Sequence, residues 1–400
     1  MQLLDICELI VDCEHKTAPT QERGYPSIRT PNIGRGRFIL EGVNRVSEET
    51  YQLWSRRAVP QPGDLIMARE APVGNVAMIP PGLQPCLGQR TLLIRPDHSK
   101  VDPSFLNYLL NGPHIQGSIH AKTNGATVAH LNMKDVRTME LPALPLLVTQ
   151  RRIAGILSAY DELIENSQRR IKILEAMARA LYREWFVHFR FPGHESVPRV
   201  PSTLGDIPKG WEAKKLGDIA EEMRRNVPKG ELKKPKPYVG LEHIPRRSLA
   251  LDAWEIATEL GSNKLEFKKG EVLFGKIRPY FHKVSVAPFD GLCSADTIVI
   301  RPRRPEYYAV LVACVSSDAF VAEASATANG AKMPRANWDV LEKFPVVIPN
   351  VGVSEQFSAL VADILAQQQV LVFRIQNLRR TRDLLLPRLL SGQIDVETLA

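Results

Sequence analysis

Six Pro- and Gly-punctuated stretches of this sequence hold the side chains whose types could do chemistry, and nearly all of them are Arg, Lys, Gln or Asn. "EHKTAP" from Glu14, "SIRTPNIGRGRF" from Ser27 and "MAREAPVG" from Met67 lie in the first half, and "MRRNVPKGELKKPKP" from Met223, "GKIRPYFHK" from Gly275 and "NGAKMPR" from Asn329 in the second. Lys and Arg neutralise phosphate, and Arg, Gln and Asn also make paired hydrogen bonds to base edges. Arg29, Arg69, Gln89 and Arg278 therefore read as candidate base readers, and Lys16, Lys122, Lys276 and Lys332 as candidate phosphate clamps. His15, Thr17, Arg35, Arg37, Arg90, Asn124, Lys283, Asn329 and Arg335 lie in the same or adjoining stretches and complete a candidate DNA-binding set. Taken singly, each is a solvated surface group; the case rests on their falling in matched loops of both halves.

Catalytic arrangements are missing. No G-x-x-x-x-G-K-[ST] loop is present to cradle nucleotide phosphates, and the histidines do not fall at metal-ligand spacing. Asp161, Glu162 and Glu165 read as the solvated face of a helix. The five cysteines are odd in number and scattered without a C-x-x-C, which fits a reducing compartment and no zinc site. No apolar run approaches the ~18 residues that cross a bilayer, and "MQLLDICELIVDCEHKT" lacks a basic leader region. The expectation is a cytoplasmic protein with no membrane partner. The net charge of +8 suits a polyanionic partner without requiring one.

The elements that position these loops come twice. "PGDLIMAREAPVGNVAMI" from Pro62 aligns with "KGEVLFGKIRPYFHKVSV" from Lys269, Cys86 with Cys293, and "TLLIRP" from Thr91 with "TIVIRP" from Thr297. "TNGATVAHLNMKDVRTMELPALP" from Thr123 is answered 205 positions on by "ANGAKMPRANWDVLEKFPVVIP". This order marks a tandem duplication. Asn-Gly makes a tight turn, so the repeated "NGA" is either a hairpin corner or a loop tip that approaches DNA.

Each copy combines short β-branched runs with one long helical stretch. In the first helix the apolar positions include Ile153, Leu157, Ile164, Ile171, Leu174 and Leu181, and in the second Val361, Ile364, Leu371, Ile375, Leu378 and Leu385. Steps of four and three form a heptad seam, and ~36 residues of helix would extend about 54 Å. Two matching seams favour antiparallel pairing with each other over packing on a partner alone. Gln368 and Arg382 interrupt the second seam, and Pro387 is expected to end or kink that helix. The predicted fold is α+β, with two globular mixed domains joined by two long antiparallel coiled-coil helices in a pseudo-two-fold repeat. Its expected parts are a first domain over 1–148, a helix over 149–190 and a Pro/Gly/Ser-rich linker over 191–210. A second domain over 211–350, a helix over 351–390 and a tail over 391–400 follow.

This layout, with "CEHKTAP" near the start and "KLGDIAEE" opening the second copy, resembles the specificity (S) subunit of type I restriction–modification systems. "ATVAHLNMKDVRTMELPALPLLVTQRRIAGILSAYDELIENSQRRIKILEAMARALYREWF" and "LRRTRDLLLPRLLSGQIDV" are the most specific parts of the likeness, which covers essentially the whole chain. The resemblance implies a non-catalytic subunit whose two target-recognition domains read an asymmetric bipartite site in double-stranded DNA. It further implies two docked methyltransferase subunits that methylate adenine, and restriction/translocase subunits that complete an ATP-dependent endonuclease. S-adenosylmethionine, ATP and Mg would then belong to the partners and no cofactor to this chain. In keeping with this, the sequence has no N-P-P-aromatic segment or F-x-G-x-G loop of an adenine methyltransferase. The competing reading is a coiled-coil scaffold whose end domains bind peptides.

Overall fold

A computed structural model describes residues 1–123 and 130–397. The chain divides into two units, Met1–Glu162 with Arg379–Ala400, and Leu163–Leu378.

In the first unit a turn over Leu3–Ile6 is fixed by Asp5, whose Oδ2 accepts the Gln2 N–H at 2.8 Å. The strand Cys7–Asp12 then pairs antiparallel with Thr91–Pro96, which pairs with Leu65–Ala68, and that strand with Val76–Met78. All four residues of Leu65–Ala68 are buried, as a strand covered on both faces requires. One face meets the helices Pro103–Asn111 and Pro113–Thr123 through Phe105, Leu109, Ile115 and Ile119. The other meets Ile28, Ile33 and Leu87. Asp102 caps the first of these helices by accepting the Phe105 N–H at 3.0 Å, with Pro103 placed where no donor is needed.

The second unit repeats the plan. Asp218 accepts the Lys215 N–H at 2.8 Å, and Ala220–Glu222, Thr297–Pro302, Val272–Gly275 and Val284–Val286 form a sheet of the same order. The cysteine correspondence is structural: Cys86 pairs in parallel with Ser27, and Cys293 in parallel with Val239. The second copy enlarges its minor sheet to five strands by adding Lys264–Phe267 beside Gly291–Ser294 and Arg225–Val227 beyond it.

The first long helix spans Leu147–Tyr182 and continues as a π turn over Arg183–Val187; the second spans Val351–Leu390. Within each unit they run antiparallel. In the first unit Ile153 and Leu157 share a core with Leu389, and Leu385 packs against it. In the second, Ile164 and Ile171 pack with Leu371 and Ile375, with Leu174 and Leu378 half-buried beside them. Val361 and half-buried Leu181 join the domain core there, and Ile364 is buried. The "YREWF" corner is a packing element, with Phe186 tilted against Trp211 at 5.5 Å and edge-on to Phe357 at 4.7 Å.

Four local expectations change. Residues 191–210 hold an antiparallel hairpin, Arg199–Ser202 with Gly205–Pro208, instead of a plain linker. The second helix runs through Pro387, which lies in its last turn and forgoes one i→i−4 hydrogen bond there. Asp161 is not a solvated acid: it accepts the Tyr108 hydroxyl at 2.6 Å and Arg382 Nη1 at 2.5 Å, and this settles the seam cation. Residues 391–397 are anchored instead of trailing, since Val396 is buried in the first unit's core. By length and composition Val351–Leu390 could cross a membrane, with a mean hydropathy of 1.2 in its most apolar window. The helix buries Phe357, Val361, Leu371 and Ile375 and leaves Val370 and Phe373 exposed, with 33% of that window buried.

Candidate nucleic-acid interface

Each unit carries a cluster of charge where its four-stranded sheet ends. In the first unit the central ladder continues one rung past its strands, with the Arg69 N–H donating to the Arg90 carbonyl at 2.9 Å. A third segment joins there, the Leu131 N–H donating to the Arg69 carbonyl at 3.0 Å. The Arg69 side chain is enclosed. Its Nε donates to the Leu131 carbonyl at 2.9 Å, Nη2 lies 3.0 Å from His130 Nε2, and Nη1 is 3.9 Å from Asp12 Oδ2. His130 Nδ1 faces Glu70 Oε1 at 2.9 Å, so the partners dictate an Nδ1–H tautomer that accepts from Arg69. The second oxygen of Glu70 holds Arg90 Nη1 at 2.8 Å. Asp12 also takes Arg57 and, at 3.0 Å, His15 Nε2.

The second unit has the same junction with other residues. The Lys276 N–H donates to the Asp296 carbonyl at 2.8 Å, and the Ala336 N–H to the Lys276 carbonyl at 3.0 Å. Lys276 Nζ lies 3.4 Å from the Ala295 carbonyl and 3.7 Å from Glu222, a nearly buried carboxylate that also binds Arg224 at 2.6 Å. Arg335 Nε approaches Asp296 Oδ1 at 3.4 Å. Backbone bonds between Asn329 and Arg335 close the "NGAKMP" loop, in which Gly330 adopts φ +107°, so in this copy the repeated Asn-Gly turns a hairpin.

The sequence-derived residues distribute unevenly around these junctions. His15, Lys16 and Thr17 are exposed on one loop beside half-buried Gln89, which takes the Thr17 hydroxyl at 3.3 Å and donates to the His15 carbonyl at 3.4 Å. Arg90, Lys122, Asn329, Lys332 and Arg335 are exposed, as are Arg29, Arg35 and Arg37 on a separate loop. Asn124 lies outside the described residues. Arg69, expected to read bases, is 6% exposed, with Nε and Nη2 hydrogen-bonded and Nη1 3.9 Å from Asp12, so the structure places it inside the junction. Lys283, expected on the surface, is half-buried with its ammonium on the Leu241 carbonyl. Burial, then the nearby Arg246, holds that ammonium below its usual range. Arg278 is half-buried in a left-handed conformation, its N–H donating to the Pro334 carbonyl at 2.8 Å.

Asp12, Arg57, Glu70, His130, Arg224 and Asp296 were missed from sequence. One signal for them existed: "HLNM" and "RANW" align 205 positions apart and place His130 opposite Arg335. Among the described residues no His, Cys, Asp or Glu group could hold a metal ion.

The family model for the type I restriction modification DNA specificity domain matches residues 1–176. The type I restriction enzyme MjaIX specificity subunit of Methanocaldococcus jannaschii is 26% identical over 381 residues, covering 90% of this chain and 84% of that protein. This chain is similar to the type I restriction enzyme specificity subunits over most of its length. Among other relatives, the EcoDI specificity subunit of Escherichia coli is 25% identical over 315 residues, or 72% of this chain and 68% of that protein. The crystal structure of a type I S subunit from M. genitalium has the same fold, with a TM-score of 0.58 at 16% identity and 97% and 95% of the two chains covered. A specificity subunit need carry no reactive constellation, and the clusters above are built from arginines, lysines and their carboxylate partners.

Proposed function

We propose that this specificity subunit reads an asymmetric two-part site in double-stranded DNA, one part with each unit. It would direct two methyltransferase subunits to methylate adenine there, and restriction/translocase subunits to cleave DNA with ATP. S-adenosylmethionine, ATP and Mg belong to those partners in this reading, which also places the complex in the cytoplasm. The observation that carries it is the duplicated junction, with exposed basic side chains clustered at the end of equivalent sheets in a chain similar to this family. The two junctions differ in residue identity, so the two parts of the target differ. The test is a long-read methylation map of cells carrying the methyltransferase subunit with and without this chain. A two-part adenine motif that appears only with the chain is the expected result. An assembled complex that leaves no new motif refutes the proposal and favours a scaffold.

A further inference from the structure

The backbone hydrogen bonds define which residues of the two units occupy the same place, without recourse to sequence likeness. Arg69 and Lys276 each donate to the neighbouring strand and each receive a third segment on their carbonyl. That register makes Arg90 equivalent to Asp296, and His130 to Arg335. The charges have changed strands. In the first unit the exposed guanidinium comes from the sheet strand, at Arg90, and its carboxylate from Glu70. In the second the carboxylate stands at the sheet strand, Asp296, and the guanidinium comes from the joining segment, Arg335. Both units therefore carry an exposed arginine with a carboxylate beside it and a shielded cation behind, assembled from different positions, while Arg57 on Asp12 and Arg224 on Glu222 are exposed in the same clusters.

A chance surface ion pair has no reason to be rebuilt from another strand at the same junction. Arg90 is also held at φ +66°, a left-handed conformation that a non-glycine residue adopts at a cost. Its side chain stays 57% exposed, so the fold fixes the base of this arginine while leaving the guanidinium open. The Arg335 side chain is similarly 50% exposed. A guanidinium fork held in one plane suits two parallel hydrogen bonds to the O6 and N7 of a guanine, a pre-organised geometry that the flexible point charge of a lysine lacks.

We propose that Arg90 and Arg335 are the specificity-determining residues at equivalent places in the two units, each reading one base pair of its own half-site. Glu70 and Asp296 are positioning residues that aim them. The inference rests on the two-part DNA reading above.

The experiment measures methylation rates of the assembled complex on its cognate site and on every single-base variant, for the wild-type chain and for Arg90→Lys, Arg90→Ala, Arg335→Lys, Arg335→Ala, Glu70→Gln and Glu70→Asp. A wild-type complex with no two-part preference overturns the functional reading itself. With that preference present, Arg90→Lys should lower discrimination at one base pair of one half-site by roughly 5- to 150-fold. The other half-site should be unaffected. Arg335→Lys should do the same in the other half. Glu70→Gln should weaken discrimination at the Arg90 position only, and Glu70→Asp should restore part of it, which a purely structural role would not produce. The lysine variants keep charge and volume, so they remain informative if an alanine variant fails to fold. Equal loss on every site would identify a phosphate contact and overturn the assignment, as would loss in both halves or an unchanged profile.

Discussion

Glu175 offers the sharpest test of how the first long helix holds the second unit. Its side chain is 2% exposed, and one carboxylate oxygen accepts the Ser248 hydroxyl at 2.6 Å, the Leu249 N–H at 2.7 Å and the Ala250 N–H at 3.3 Å. Burial pushes this carboxyl above its ordinary range, while the three donors and Arg179 pull it back. Glu175→Ala strands the Ser248 hydroxyl and the Leu249 N–H, at about 1–3 kcal/mol each. Release of a buried carboxylate offsets part of this, leaving a net loss of about 2–4 kcal/mol. For a unit of this size that lowers Tm by about 4–16 °C.

Glu175→Gln keeps an acceptor and removes the charge. A raised carboxyl binds its proton more tightly folded than unfolded, so it makes stability fall as pH rises from the ordinary 4.5 through the folded value. Above the folded value that penalty is fully present, and there the glutamine variant should be at least as stable as wild type. The stability difference between them should shrink on acidification through the same window. Four of the five tryptophans, Trp185, Trp211, Trp254 and Trp338, lie in this unit, so indole fluorescence during thermal or denaturant unfolding reports on it. If Glu175→Gln unfolds as early as Glu175→Ala, the site needs the charge and the burial argument is wrong.

Arg382→Ala should destabilise the first unit by about 1–3 kcal/mol, because Asp161 loses its cation while remaining bonded to Tyr108; faster amide exchange across residues 379–390 would register it. Leu157, fully buried, should cost about 2–5 kcal/mol as Leu157→Ala. Leu384→Ala, at a position 54% exposed, should stay within about 0.5 kcal/mol in the same chemical denaturation series. Lys16→Ala and Lys332→Ala should each reduce the slope of log affinity against log salt for DNA by about one. A titration with an unchanged slope would remove that lysine from the phosphate contacts.

The repeat was legible because its central strands are covered on both faces and so read as unbroken apolar runs, "LIMA" against "VLFG". The heptad seams were legible for the same reason, since periodicity reports burial directly. Partnership was harder to see. Arg69 looks like a loop arginine in sequence, and the carbonyl that captures it belongs to Leu131, 62 positions away. Asp161 looks solvated on its own helix, and only the tertiary approach of Tyr108 and Arg382 shows otherwise. The hairpin over 199–208 was hidden because Pro and Gly, which mark linkers, also punctuate short strands.

The division of the chain has a consequence for how it is made. The first unit needs residues 379–397, since Leu389 and Val396 lie in its core. The second unit is one uninterrupted segment, 163–378. A ribosome therefore releases everything the second unit requires before it releases the last pieces of the first. At the usual elongation speed the first unit's half-built core waits roughly 10–50 s for Val396. Over that interval the core that holds Phe105, Leu109 and Leu157 lacks Leu389 and Val396. The domain translated first is the domain completed last.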